Sequence, residues 1–187
     1  PKPPSNTSVW TEIGEGLQVL RRVPAVRGAM IHLVLLYSLL AALYVLALQL
    51  AALIDNLGPS GFGALLAMSG LGMAIGAVVM AQLGHRFSRR RLTAAGLGTI
   101  TWTLVLLSQL RGSLAFTLSL CGILGIGAAL VAIPAQTTIQ EETPETERGR
   151  VFGLQNNLIN IALSLPLVLA GTLVSSIGLQ PVLWLLA

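Results

Sequence analysis

Charge is scarce in this sequence. Asp, Glu, Lys and Arg make up 10% of the 187 residues, and five intervals hold none of them: Gly28 to Ile54, Asn56 to His85, Leu92 to Leu110, Gly112 to Gln140 and Val151 to Ala187. Cysteine is reduced to Cys121, which excludes a disulfide framework and a cysteine metal site and fits a buried, inert thiol. Aromatic residues are 5% of the chain and do not interleave with the basic ones, so a net charge of +4 does not describe a nucleic-acid surface. There is no Gly-rich phosphate loop, no nucleophile beside a base, and no His/Cys/carboxylate cluster with metal spacing. Neither a catalytic apparatus nor a cofactor or metal is expected.

What is present is apolar length. Hydrophobic residues are 54% of the chain and mean hydropathy is +0.81, above soluble norms. A membrane span needs about 20 predominantly apolar residues, and the uncharged intervals supply five, at about 28–53, 62–83, 92–109, 114–133 and 151–174. The segment "QPVLWLLA" starts a sixth, 181–187, that stops short of the bilayer thickness. At the other end, "PKPPSNTS" has the composition of a linker, with no initiator Met or signal peptide. The expected organisation is therefore an all-α integral membrane piece of a longer protein: a linker over 1–27 and a transmembrane bundle over 28–187. Within the linker, Trp10, Ile13, Leu17 and Leu20 form a helical stripe with Glu12, Glu15, Arg21 and Arg22 off it. That pattern fits an amphipathic helix lying at the membrane interface and ending near Pro24, or a plain solvated linker helix.

Basic residues in short loops collect on the cytoplasmic side. With the N-terminal end placed inside, Lys2, Arg21, Arg22, Arg27, Arg86, Arg89, Arg90, Arg91, Arg148 and Arg150 are all cytoplasmic and Arg111 alone is outside. The cluster in "GHRFSRRRL" is then the inner turn between spans two and three. Helices in lipid associate through close-packed small residues. Gly72 and Gly76 in span two, and Cys121, Gly125 and Ala129 in span four, have the four-residue spacing of such seams, read here as intramolecular. Pro166, flanked at four residues by Ala162 and Ala170, predicts a kink with a small-residue face.

Polar side chains inside spans are costly unless they face protein or water. Asn157, Asn160 and Ser164 share one face of span five, with Asn156 beside it; Tyr37 and Tyr44 share one face of span one, with Gln49 nearer its outer end. These residues are candidates to line a pathway through the membrane, with hydrogen bonding between helices as the alternative. No acidic residue falls inside a span as drawn. His32, about one turn into span one, is either a satisfied or snorkelling side chain or a proton carrier.

The turn "AQLGHRFSRRR", Ala81 to Arg91, resembles the loop signature G-x-L-A-D-R-x-G-R-R of major facilitator superfamily transporters. Arg86, Arg89 and Arg90 fall on its basic positions, while His85 stands at the acidic position and Ala81 and Ser88 replace glycines. "EETPETERGR" carries Glu141-x-x-Pro144-x-x-x-Arg148-Gly149, similar to the E-x-x-P-x-x-x-R-G element at the inner end of the fourth or tenth helix in that superfamily. "WTEIGEGLQVLRRVPAVRGAM" and "TTIQEETPETERGRVFGLQNN" resemble segments of the exporter branch that includes bacterial enterobactin exporters.

The resemblance implies the C-terminal half of a transporter built from two six-helix halves, with the substrate site between them. It also implies small-molecule export by alternating access across a bacterial inner membrane. The partners expected are the lipid bilayer, the missing N-terminal half and a small-molecule substrate, without nucleic acid. Arg86, Arg89, Arg90, Glu141, Arg148 and Arg150 become candidates for a cytoplasmic gate, with Arg90 and Glu141 taken as a pair to test. The rival readings are a non-transporting scaffold or partner-dependent subunit, and a membrane-embedded enzyme.

Overall fold

The computed structural model describes residues 9–53, 58–109 and 114–187, and every described element is helical. Seven α-helices follow in order: α1 (Val9–Arg22), α2 (Pro24–Leu53), α3 (Gly58–Leu83), α4 (Arg89–Gln109), α5 (Leu114–Glu142), α6 (Arg148–Ile177) and α7 (Leu179–Leu186). One-turn 3₁₀ segments at Gly84–Arg86 and Glu145–Glu147 close the α3–α4 and α5–α6 connections. Five helices are long and apolar enough to cross a membrane: Pro24–Leu48, Gly61–Gln82, Arg89–Gln109, Leu114–Glu142 and Glu145–Ser176. Alternation of direction gathers the start of α2 and the α3–α4 and α5–α6 connections at one end, called the basic end below.

The helices run past the charge-free intervals. α2 begins at Pro24 rather than near Gly28 because proline suits the first helical position, where no N–H is needed. The break from α1 is slight: Val23 N–H donates to Val19 O (3.0 Å) and Arg27 N–H to Val23 O (3.1 Å) across the junction. α5 continues nine residues beyond the expected end at Ile133, straight through Pro134, and takes Glu141 and Glu142 into its last turn. Arg89, Arg90 and Arg91 likewise open α4 rather than sitting in a loop. α6 ends where Gly178 adopts φ +87°, its N–H returning to Val174 O at 3.0 Å. Only glycine takes that backbone without strain.

α5 is the centre, packed on α2, α3 and α4, whereas α6 packs on α2 and α1. Small residues set how close the neighbours come. A Cβ on Gly72 of α3 would land on the Gly122 carbonyl of α5, and one on Gly125 would land on the Ser69 carbonyl of α3. A Cβ on Gly76 would lie 2.7 Å from the Ala129 Cβ. The expected small-residue seam is therefore the α3–α5 interface, inside one molecule. On the other side of α5, a Cβ on Gly96 of α4 would approach the Gly127 carbonyl to 2.8 Å.

Of the apolar stripe on α1, Leu20 is buried and Leu17 is exposed. The packed face of the helix is Gly16, Val19 and Leu20, with Val19 and Leu20 in a cluster that includes Val26, Met30, Ile139, Val151 and Leu154. The side chains of Trp10 and Ile13 lie outside the described set. Gly16 fits because a Cβ there would meet Leu154 Cβ at 3.0 Å. The helix is thus docked on α6 rather than held by an apolar face alone.

Candidate functional site

Two surfaces hold the sequence candidates. The first is the exposed side of α6 and the adjoining side of α2. Asn156, Asn157, Asn160 and Ser164 are all exposed, interspersed with exposed Ile161, Leu165 and Val168. Ser164 Oγ donates to Asn160 O at 2.8 Å, one turn back, which keeps the hydroxyl satisfied on an apolar helix. None of these four is drawn into the bundle, so they do not hold the described helices together. A shallow groove runs along Asn160, Ile161, Ser164, Leu165, Val168 and Leu169.

On α2 the two tyrosines part company. Tyr37 is half-buried against the basic-end cluster of Met30, Leu33, Val151 and Leu154, while Tyr44 is exposed and packs edge-on to Phe62 of α3, ring centroids 5.1 Å apart at 87°. Seven residues of spacing put both on one side of α2, but different neighbours meet them there: α6 and α1 at one level, α3 at the other. Of the two, Tyr44 alone lines the cavity described below, among the described residues. Gln49 has its side chain outside the described set.

Tyr44 borders a cavity of about 280 Å³ among α2, α3, α4, α5 and α7. Its wall is apolar except for Tyr44, Ser69 and Cys121. The Ser69 hydroxyl donates to Leu65 O at 3.1 Å, and Cys121, buried, hydrogen-bonds to Ser69.

The second surface is the basic end. Arg89 is ion-paired with Glu141, with Arg89 Nη1 also donating to Thr138 Oγ1 at 3.3 Å. The pair clasps the first turn of α4 to the last turn of α5. Glu141 is therefore matched with Arg89 and not with Arg90, because the first turn of α4 turns the two arginines about 100° apart. Both members are exposed, at 44% and 58%, so the pair is worth about 0 to 1 kcal/mol. Arg86 and Arg90 are exposed, and Arg148 pairs with Glu145 at 3.5 Å. Arg150 is exposed beside the α1 docking site, its carbonyl facing Gly16. The clasp ties two helices of the same bundle, which differs from a bridge between two loops.

His32, half-buried in α2, has Nδ1 2.8 Å from the Gly28 carbonyl one turn back, in position to donate to it. That is the satisfied arrangement. Among the described residues no group of His, Cys, Asp and Glu is placed to hold a metal ion.

Sequence reasoning passed over Gln136 and Gln155. Gln155 Nε2 donates to Gln136 Oε1 at 2.7 Å, joining α6 to α5 near the basic end, and Gln155 is only 8% exposed. Its Oε1, the Thr143 hydroxyl and the Arg148 Nε are buried without a hydrogen-bond partner. A signal was available: Gln155 follows Arg148 and Val151 at helical spacing on the side of α6 away from Asn157 and Asn160.

A bundle of long apolar helices with polar residues on its uncovered face defines a multi-pass membrane protein. Residues 30–187 match the model of the Major Facilitator Superfamily, and the chain belongs to that family. It is 33% identical over 199 aligned positions to a protein of Bacillus subtilis (strain 168) described as the uncharacterized MFS-type transporter YfiS. That alignment takes in 95% of this chain and 43% of the relative, so the chain spans less than half of the relative's length. No solved structure matches it. The expected fold class stands, an all-helical major facilitator bundle, and family membership points to a transporter rather than an enzyme.

Proposed function

We propose that this chain is the C-terminal half of a secondary active transporter of the enterobactin-exporter-like branch. It exports a small molecule across a bacterial inner membrane by alternating access. In this reading residues 1–27 are the central cytoplasmic linker, the basic end faces the cytoplasm, and α7 is the beginning of the last span. The observation that carries the reading is the α6 face: Asn156, Asn157, Asn160 and Ser164 stand uncovered on a helix otherwise fit for lipid. Amides are expensive against hydrocarbon, so this face calls for a water-lined path or a second half. The charge distribution supports the orientation, since ten of the eleven basic residues lie at one end of the topology.

The test uses the intact protein in inside-out membrane vesicles, with an ion gradient imposed and uptake of a panel of uncharged and zwitterionic compounds followed. Gradient-dependent uptake that Asn160→Trp and Ser164→Trp abolish, with protein levels unchanged, is the expected result. Undiminished uptake in both variants removes α6 from the pathway. No uptake of any compound, together with recovery of a stable partner protein on purification, favours the scaffold reading.

A further inference from the structure

The cavity beside Tyr44 lies where α2 meets α3, and its chemistry is unusually uniform. Tyr44 (45% exposed) and Leu66 (40%) form its rim, while Leu65 (1%), Leu183 (4%) and Leu124 (6%) form its floor. It therefore opens on the exposed side of α2 and ends within the bundle. Phe62 braces the Tyr44 ring edge-on, which holds the rim in place.

The floor offers nothing to a charged or strongly polar guest. Ser69 and Cys121 satisfy one another and the Leu65 carbonyl, and no ionisable side chain other than Tyr44 and Cys121 lines the wall. Water in such a space needs two to four polar partners, which the wall does not present. An ion there would lose its hydration without a counter-charge. Size narrows the class further. An apolar cavity of about 150 Å³ takes up benzene, so about 280 Å³ suits two fused rings.

We infer that this cavity binds the uncharged, apolar ring portion of a small molecule, about two fused rings in size, which enters past Tyr44. The inference rests on the reading of the α2 and α6 faces as a translocation pathway and names the chemical class that travels along it. An apolar pocket with few polar groups is the usual form of a small-molecule site. Here it would extract a hydrophobic substrate by burying its rings while any polar end stays at the Tyr44 rim.

Cys121 in the wall provides the readout. The intact protein, purified in detergent with Cys121 as the one cysteine kept, is alkylated by N-ethylmaleimide with and without 2-naphthol. At ten times its Kd, 2-naphthol is expected to slow alkylation about tenfold, and 2-naphthalenesulfonate to give no protection. Leu124→Trp, which fills the floor, is expected to abolish protection. Ala47→Phe serves the same purpose from the α2 side if Leu124→Trp does not fold, with elution profile and Tm deciding which variant is read.

Equal alkylation rates with and without 2-naphthol in folded protein overturn the inference. So does equal protection by the sulfonate, or a Cys121 that N-ethylmaleimide does not reach. The assay needs no gradient and no transport. Protection in a protein that transports nothing upholds the pocket and removes the transporter reading, and transport without protection does the reverse.

Discussion

α5 and α6 match in length and apolar character, 29 and 30 residues long and each with one internal proline, Pro134 and Pro166. Their surroundings are opposite. α5 is wrapped by α2, α3 and α4, while α6 packs chiefly on α2 and α1 and leaves one side bare. The difference lies in what each helix offers its neighbours. α5 carries Gly122, Gly125, Gly127, Ala128 and Ala129, so backbones come together on two sides and dispersion contacts accumulate. α6 carries Asn156, Asn157, Ile161, Ser164 and Val168 outward, side chains that keep a backbone at a distance and present amides. Mean hydropathy distinguishes neither helix; the placing of the smallest and the most polar residues does.

That contrast is broken most severely at the seam. Gly72→Leu sets a branched side chain where even a Cβ overlaps the Gly122 carbonyl, beyond the about 1–3 kcal/mol usual for overpacking. Loss of the monodisperse peak in detergent is the expected outcome. Gly153→Ala on α6, with nothing within 4 Å of the new Cβ, is expected to be neutral or to raise stability by up to about 1 kcal/mol. A Gly72→Leu protein as stable as Gly153→Ala would remove close approach as the reason α5 is central.

The next largest effect belongs to the Gln155–Gln136 bond between the two helices. Gln155→Ala leaves Gln136 half-buried without that partner and is expected to cost about 1–2 kcal/mol in thermal unfolding. Replacing both residues by Leu is expected to recover most of it, because the loss is chiefly one of an unmatched amide. A double variant as unstable as the single one would mean the bond positions α6 rather than merely satisfying itself.

Asn160→Leu sharpens the comparison from the bare side. Stability is expected to stay within about 0.5 kcal/mol because the residue is exposed and holds no helix. Asn160→Cys in a Cys121→Ala background is expected to react with a charged thiol reagent in membranes, as a lipid-facing position does not. Last comes Arg89→Ala, which removes an exposed ion pair. A change of at most about 1 kcal/mol, shrinking as salt is raised, is expected in a melting series.

Much of this was legible before any coordinates. Charge-free stretches located five long helices because lipid tolerates little else, missing the end of α5 by nine residues, and the four-residue spacing of Gly72 and Gly76 marked the seam. Helix ends at the basic end were not legible. Arg89 to Arg91 and Glu141 to Glu142 read as loop because they are charged, yet a helix emerging from lipid into water can carry its last turn charged. The same blindness paired Glu141 with Arg90 instead of Arg89, since the partner depends on helical phase once both residues are helical. Seven-residue spacing puts Tyr37 and Tyr44 on one side of α2, but periodicity describes one helix and not which neighbour waits at each level. Gln155 was hidden by its position beside Asn156 and Asn157, three polar residues in a row that face in different directions.

The junction at Pro24 has a mechanical meaning. Because hydrogen bonds from Val23 and Arg27 carry the ladder past the proline, and Gly16 seats α1 against Leu154, the short helix is a stiff bracket bolted to the foot of α2 and the foot of α6. Torque applied to α1 would reach both feet at once, through the Pro24 junction to α2 and through the Gly16 seat to α6.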